Sequence, residues 1–417
     1  MSGRRRVQTL AAAAVTMAMA VAVAPARAAA PASTAGGVPP PTVQARAAIL
    51  VAGTGQRLYG MNADASVPIA SATKLMTALV TLERAPPTAT FPYPGHQFTP
   101  DASQIGLSAG ERMSVYDLLV AALTPSADDA ALDLAYNVGQ GSVPRFVAMM
   151  NARAAQLGLS HTHYSTPIGF DDPGNYSSAA DLVKLAGYVL QHYPVFAHIV
   201  NLSSAVLHTG SQPRSVVSRN GLVGAVPWIH GVKTGHTAAA GYVLVGLARR
   251  NGMTLLSAVL GTSSESARDQ NTLALLNWGY ANYRQAEPVL AGSVLARPTV
   301  ADQPGRRPDV IAARTLSEVV GRSSRVQVQV HVPHQISGPL KQDTVVGSAT
   351  ALDNGARLDT VPLVLATALP GVSAWTRVGR FITEPITLLG LVLLVAGTAT
   401  LIARRRLYRR PRQRTAA

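Results

Sequence analysis

Three short strings in this 417-residue chain set a hydroxyl nucleophile beside a cation or a proton carrier. PIASATKLMTAL places Lys74 three residues after Ser71, LTPSADDAALDLA holds Ser126 and Asp128, and HGVKTGHTAAAGYVLVGLA holds Lys233, Thr234, Gly235 and His236. On a helix, a spacing of three puts two side chains on one face, one turn apart. A serine hydroxyl is a weak nucleophile until a base takes its proton, and an amine does so only when uncharged. Burial and a second cation both disfavour the charged form of a lysine, so Lys233 can prime Lys74. Backbone N–H groups at the start of the Ser71 helix face any negative charge that develops there. The chain has four lysines beside 32 arginines, so a retained lysine asks for a chemical explanation.

Several other chemistries are excluded or disfavoured. There is no cysteine, which removes disulfides, thiolate metal sites and a cysteine nucleophile together. Gly53 and Gly55 lack the third glycine of a dinucleotide loop, Leu58 standing in its place. His161-Thr162-His163 has no surrounding ligand framework and reads as loop or packing, while Asp171-Asp172 before Pro173-Gly174 reads as turn chemistry. No metal and no cofactor are expected. Of the net charge of +15, four positive charges fall in residues 1–28 and seven in 404–414, leaving +4. That modest excess gives no reason to expect nucleic acid and suits an anionic wall polymer as neighbour.

The two ends read as targeting and anchoring segments. Arg4, Arg5 and Arg6 precede an apolar stretch from Leu10 to Val23 and a small-residue Ala26-Arg27-Ala28 site, so residues 1–28 are expected to be a signal peptide. Residues 29–44, rich in Pro, Ala, Gly and Thr, read as a flexible linker. Near the other end, residues 386–403 form an uncharged apolar run long enough to cross a bilayer. The arginine-rich tail 404–417 is expected to stay in the cytoplasm, which puts the bulk of the chain outside.

Between these ends lie two folded segments. Residues 47–51 and 57–59 read as strands about a tight turn, and apolar spacings of three and four predict helices over 71–84, 114–123, 126–138, 142–157 and 179–192. Two strands at 241–249 and 255–261 turn at Arg250-Asn251-Gly252, and a helix follows over about 265–283. Strands at both ends with helices between them predict an α/β (α+β) domain over 45–285, an antiparallel sheet flanked by helices. From 286 to 372 the pattern changes. Val326-Gln327-Val328-Gln329-Val330-His331-Val332 alternates with period two, and a small all-β domain is expected, followed by a linker over 373–385.

Over roughly residues 45–283 the chain resembles the D-alanyl-D-alanine carboxypeptidases, low-molecular-mass penicillin-binding proteins that share the serine β-lactamase fold. Besides SATK and KTGHT, the resemblance rests on RFVAMMNARAAQLGLSHTHY from Arg145, Ala179 to Leu182, Arg219-Asn220-Gly221-Leu222, and LLNWGY from Leu275. It implies that Ser71 is the acylated nucleophile, Lys74 its general base, and Ser126 the carrier of a proton to the departing D-alanine. It further implies that Lys233, Thr234, Gly235 and His236, with Asp128 and Arg268, bind substrate, and that the N–H groups of Ser71 and His236 form an oxyanion hole. The implied partners are a peptidoglycan stem peptide ending in D-Ala-D-Ala, β-lactams as covalent inhibitors, and the cytoplasmic membrane. Aspartate departs from the family pattern at position 128, where asparagine is usual: an ionised carboxylate only accepts hydrogen bonds and favours protonated lysine. A D,D-endopeptidase acting on cross-links, or a weakened penicillin- or wall-binding protein, are the alternatives. A class A β-lactamase needs a glutamate between the second and third strings, and none occurs between Glu111 and Glu265.

Overall fold

The computed structural model describes residues 37–99, 102–301, 303–371 and 385–408. The expected signal peptide, half of the first linker, nearly all of the second and the end of the basic tail lie outside these residues. Strands β1 (Ala47–Ala52) and β2 (Arg57–Met61) form the first hairpin, and a short β3 (Val67–Pro68) follows. Next come a 3-10 turn, Ala70–Thr73, and helix α1 (Lys74–Arg84). A small hairpin, β4 (Thr90–Pro92) with β5 (Arg112–Ser114), leads to α2 (Val115–Leu123), α3 (Asp128–Val138) and α4 (Val143–Gln156). After β6 (Tyr176–Ser177) come α5 (Ala179–His192), α6 (Pro194–Ile199) and the hairpin β7 (Ser204–Leu207) with β8 (Arg214–Val217). The chain then returns to the main sheet with β9 (Ile229–Thr237), β10 (Gly241–Arg250) and β11 (Met253–Thr262), and α7 (Glu265–Asn282) closes this part.

The main sheet has the order β2-β1-β11-β10-β9 and is antiparallel at every pairing, so its first hairpin docks beside strands some 200 residues later. Both faces are covered. Ile49, Val243, Val245, Ala258 and Leu260 join the core formed with α1 to α6. Leu50, Leu244, Ala248, Leu255 and Val259 face the other way and pack with Leu275, Leu276 and Trp278 of α7. Burial on both faces explains why these strands read as near-continuous apolar runs rather than alternating ones. Strand β9 ends the sheet, so one of its edges carries no β partner and faces the Ser71 turn.

Four helices start where their sequence supplies a cap. Ser114, Ser142, Ser178 and Ser264 accept from the N–H groups of Asp117, Arg145, Asp181 and Ala267. The expected helices over 114–123, 142–157, 179–192 and 265–283 are all present, displaced by a residue or two at their ends. The segment around Ser71 differs from expectation, because residues 70–73 are a 3-10 turn and the α-helix begins only at Lys74.

Strand β12 (Tyr283–Val289) pairs with β16 (Leu316–Gly321). The β-rich segment adds β13 (Val294–Ala296), β14 (Thr299–Val300), β15 (Val310–Ala312), β17 (Val326–His331), β18 (Gln335–Ile336), β19 (Val345–Asp353) and β20 (Ala356–Leu365). Its five-stranded sheet, β13-β15-β20-β19-β17, encloses a small core of Val310, Leu316, Ala349, Val361, Leu363 and Leu365. Helix α8 (Pro385–Tyr408) is long and apolar enough to cross a membrane, and its side chains from 388 to 406 are exposed.

Candidate active site

The 3-10 turn has three residues per turn, so Ser71 and Lys74 nearly eclipse one another. Lys74 Nζ lies 2.8 Å from Ser71 Oγ. The turn is entered through Ala70, whose φ of 47° is a left-handed conformation that non-glycine residues seldom adopt. Its neighbour across the cleft is Gly169, where a Cβ would fall 2.0 Å from the Ala70 carbonyl oxygen. Only glycine allows this approach, and it brings the preceding carbonyl, Ile168 O, to 3.0 Å from Lys74 Nζ.

Lys74 is fully buried, and its third partner is Asp128 Oδ1 at 2.7 Å. Asp128 and Ile168 offer only acceptors. A neutral Lys74 has two N–H groups to satisfy them and a lone pair left for the Ser71 hydroxyl; a charged Lys74 has three N–H groups for all three. Burial pushes the Lys74 amine below its ordinary value, while the carboxylates of Asp128 and Asp129 pull it back up.

Ser126 lies between α2 and α3 with φ 69°, strained backbone of the kind that collects at functional sites. Its hydroxyl accepts from Lys233 Nζ at 2.9 Å, and Lys233 also donates to Thr234 O at 2.9 Å. Lys233 is buried on β9. Burial first, then the charge of Lys74, holds its amine well below the ordinary range, with Arg219 and Arg268 adding to this and Asp128 opposing it.

These side chains surround one cleft of about 710 Å3, lined by Ser71, Ser126, Asp128, Thr234, Gly235, His236 and Arg268 among others. Lys74 and Lys233 lie beneath its floor and reach it through the two serine hydroxyls. Gly235 sits against the turn, where a Cβ would come 2.9 Å from the Ser71 backbone nitrogen and 3.0 Å from the Ala70 Cβ. His236 stacks on Tyr242, their ring centroids 3.9 Å apart. Arg268 is almost wholly buried and pairs with Glu265 and Asp269 at 2.9 Å each.

The structure thus brings together every residue the sequence singled out for chemistry, and adds others. Thr99 and Ser103 form one wall, Phe170 and Asp171 another, and Arg219 reaches in with Nη2 3.5 Å from Ser103 Oγ. Arg219 stood in a string that carried the resemblance but had no role. Asp171 is not turn chemistry: it accepts from Thr237 Oγ1 at 2.5 Å and from the Ala239 N–H at 3.0 Å, tying its loop to the β9–β10 turn. Asp172 is the turn residue, accepting from the Gly174 N–H at 2.7 Å. His163, read as loop or packing, bonds through Nδ1 to Gly174 O at 2.6 Å.

A five-stranded antiparallel sheet with helices on both faces, and a buried Ser-x-x-Lys turn against a Lys-Thr-Gly edge strand, define a penicillin-binding-type serine acyl-transfer fold. A family model described as D-alanyl-D-alanine carboxypeptidase matches residues 34–264, and the chain belongs to that family. It is 30% identical over 330 residues to D-alanyl-D-alanine carboxypeptidase DacA of Haemophilus influenzae, covering 75% of this chain and 81% of the relative. Among solved structures it resembles penicillin binding protein 5 from Haemophilus influenzae, with a TM-score of 0.67 and 27% identity over 80% of this chain and all of that one. It also resembles the Streptomyces K15 DD-transpeptidase, with a TM-score of 0.55 and 32% identity over 58% of this chain and all of that one.

Proposed function

We propose that the chain is a serine D-alanyl-D-alanine carboxypeptidase that removes the terminal D-alanine of peptidoglycan stem peptides through an acyl-enzyme on Ser71. The observation that carries this reading is the placement of Lys74 Nζ, 2.8 Å from Ser71 Oγ with acceptor-only groups at its other two partners. Ser71 Oγ attacks the carbonyl carbon of the penultimate D-alanine and its proton passes to neutral Lys74. The oxyanion is met by the backbone N–H groups of Ser71 and His236, each such donor worth about 3 to 4 kcal/mol. Ser126, hydrogen-bonded to Lys233, hands a proton to the leaving nitrogen, the C–N bond breaks and D-alanine departs. Water then attacks the ester and returns Ser71 to its starting form. Arg268 and Arg219 give the cleft a cationic end for the substrate's terminal carboxylate, where Lys233 and Thr234 add hydrogen-bond donors. β-Lactams acylate the same serine.

The peptidase part acts outside the cytoplasm, held to the membrane by α8, with Arg404, Arg405 and Arg406 on the cytoplasmic side. Incubating the full chain with fluorescent penicillin is expected to label Ser71 covalently, and Ser71→Ala to abolish both the label and D-alanine release from a pentapeptide. Unlabelled wild-type protein would sink the reading.

A further inference from the structure

Both oxygens of the Asp128 carboxylate are committed. Oδ1 accepts from Lys74 Nζ at 2.7 Å, and Oδ2 accepts from the Ser103 backbone N–H at 3.0 Å. The Asp128 N–H in turn donates to Ser103 O at 2.6 Å. An asparagine here would offer one acceptor and one donor. With its oxygen on Lys74, its amide would face the Ser103 N–H, donor against donor; turned over, it would face the amine. Ser103 belongs to the cleft wall, and the same wall is pinned next door, where Asp129 accepts from the N–H groups of Ile105, Gly106 and Leu107. The wall is therefore moulded around a carboxylate at position 128.

We infer that Asp128 is a positioning residue that joins the base to the cleft wall, and that its charge sets the pH at which Ser71 becomes reactive. This rests on the reading of Lys74 as base. The groups facing the Lys74 amine are Asp128 and Asp129 from α3, Lys233 from β9, the Ser71 hydroxyl and the Ile168 carbonyl. Of these, Asp128 is the one anion in direct contact. The base works only when neutral, so activity rises with pH as Lys74 loses its proton. A neutral amide at 128 removes the attraction that holds that proton, and the rise moves to lower pH.

The test is the pH profile of kcat/KM for D-alanine release by the full chain and by Asp128→Asn. The acid limb is expected to move down by about 1 to 3 pH units, and KM to rise as the Ser103 wall loosens. A limb that stays in place while kcat/KM falls would reduce Asp128 to a merely structural residue and overturn the inference. A second measurement needs no folded variant at position 128. With four lysines in the chain, 13C labelling at lysine Cε gives a resolvable set of signals, with Lys74 assigned through Lys74→Arg. Lys74 is expected to titrate at higher pH than Lys233 in the wild type, and the opposite order overturns the inference. Wild-type protein that releases no D-alanine and takes no penicillin would defeat the proposed function, while the lysine order would still decide the role of Asp128.

Discussion

Gly235 lies where a methyl group would do chemical rather than conformational harm. Its φ is outside the left-handed region, so the obstacle is space: the added carbon would sit 2.9 Å from the Ser71 nitrogen, where the oxyanion is to bind, and 2.9 Å from Val243 Cγ2. Gly235→Ala is expected to slow acylation by penicillin about 100- to 1,000-fold, the loss typical of one oxyanion donor, while the shift of Val243 and the Ser71 turn lowers the melting temperature without unfolding the chain. A rate near wild type would place the oxyanion elsewhere. At this scale the sequence was most legible, because Ser71 with Lys74 and Ser126 with Lys233 are unusual pairings of polar residues, the two lysines of which fold into full burial. Gly169, Ser103 and Asp171 were not legible. Their roles come from backbone atoms and from partners 25 to 116 residues away in sequence, which no local spacing encodes.

Among the elements, the helices and the β10–β11 hairpin announced themselves through periodicity and the Arg250-Asn251-Gly252 turn, whereas the strand carrying Lys233 did not. In β9 the residues Gly231, Lys233 and Gly235 have weak strand propensity, and the strand exists because β10 pairs with it. The exposed hairpin β7–β8 and the six-residue α6 lacked a pattern long enough to read. What holds the wall segment between β4 and α2 is likewise long-range: Glu111 pairs with Arg214 of β8 at 2.8 Å, both side chains nearly buried. Burial pushes the Glu111 carboxyl up, but Arg214 and the N–H groups of Ser108 and Ser211 outweigh it and hold it at about 2. Arg214→Leu leaves that carboxylate buried without its cation and is expected to destabilise the chain by about 3 to 5 kcal/mol near neutral pH. A group whose folded value is depressed stabilises above its ordinary value of 4.5 and loses that contribution as pH falls toward about 2. The gap between wild-type and variant melting temperatures is therefore expected to shrink between pH 5 and pH 3, and a gap independent of pH would show that the ion pair contributes nothing.

For the molecule as a whole, the composition change near residue 286 marks where the β-rich segment begins, but the two segments share structure across that point. Strand β12 runs from Tyr283 to Val289, and its partner β16 supplies Val319, buried with Trp278, Tyr280 and Tyr283 in the core beneath α7. Arg322, just past β16, donates from Nε and Nη2 to Tyr280 O at 3.1 and 2.8 Å. The period-two run at Val326–His331 was legible as a strand, but it forms the sheet's outer edge with its glutamines toward solvent, so alternation there reports an edge rather than the centre of the core. A chain ended after residue 285 would lose the partner of β12, expose the aromatic cluster, and forgo the burial of Val319, worth about 1.5 to 3 kcal/mol. A chain ended after residue 371 keeps all of these contacts and loses α8 with the residues on either side of it. Thermal melting of the two truncations is expected to separate them by on the order of 5 to 10 °C, with the longer one soluble without detergent and labelled by penicillin at the rate of the full chain. Equal melting temperatures would mean that the β-rich segment contributes no stability to the peptidase part and serves only as a spacer between the cleft and the membrane.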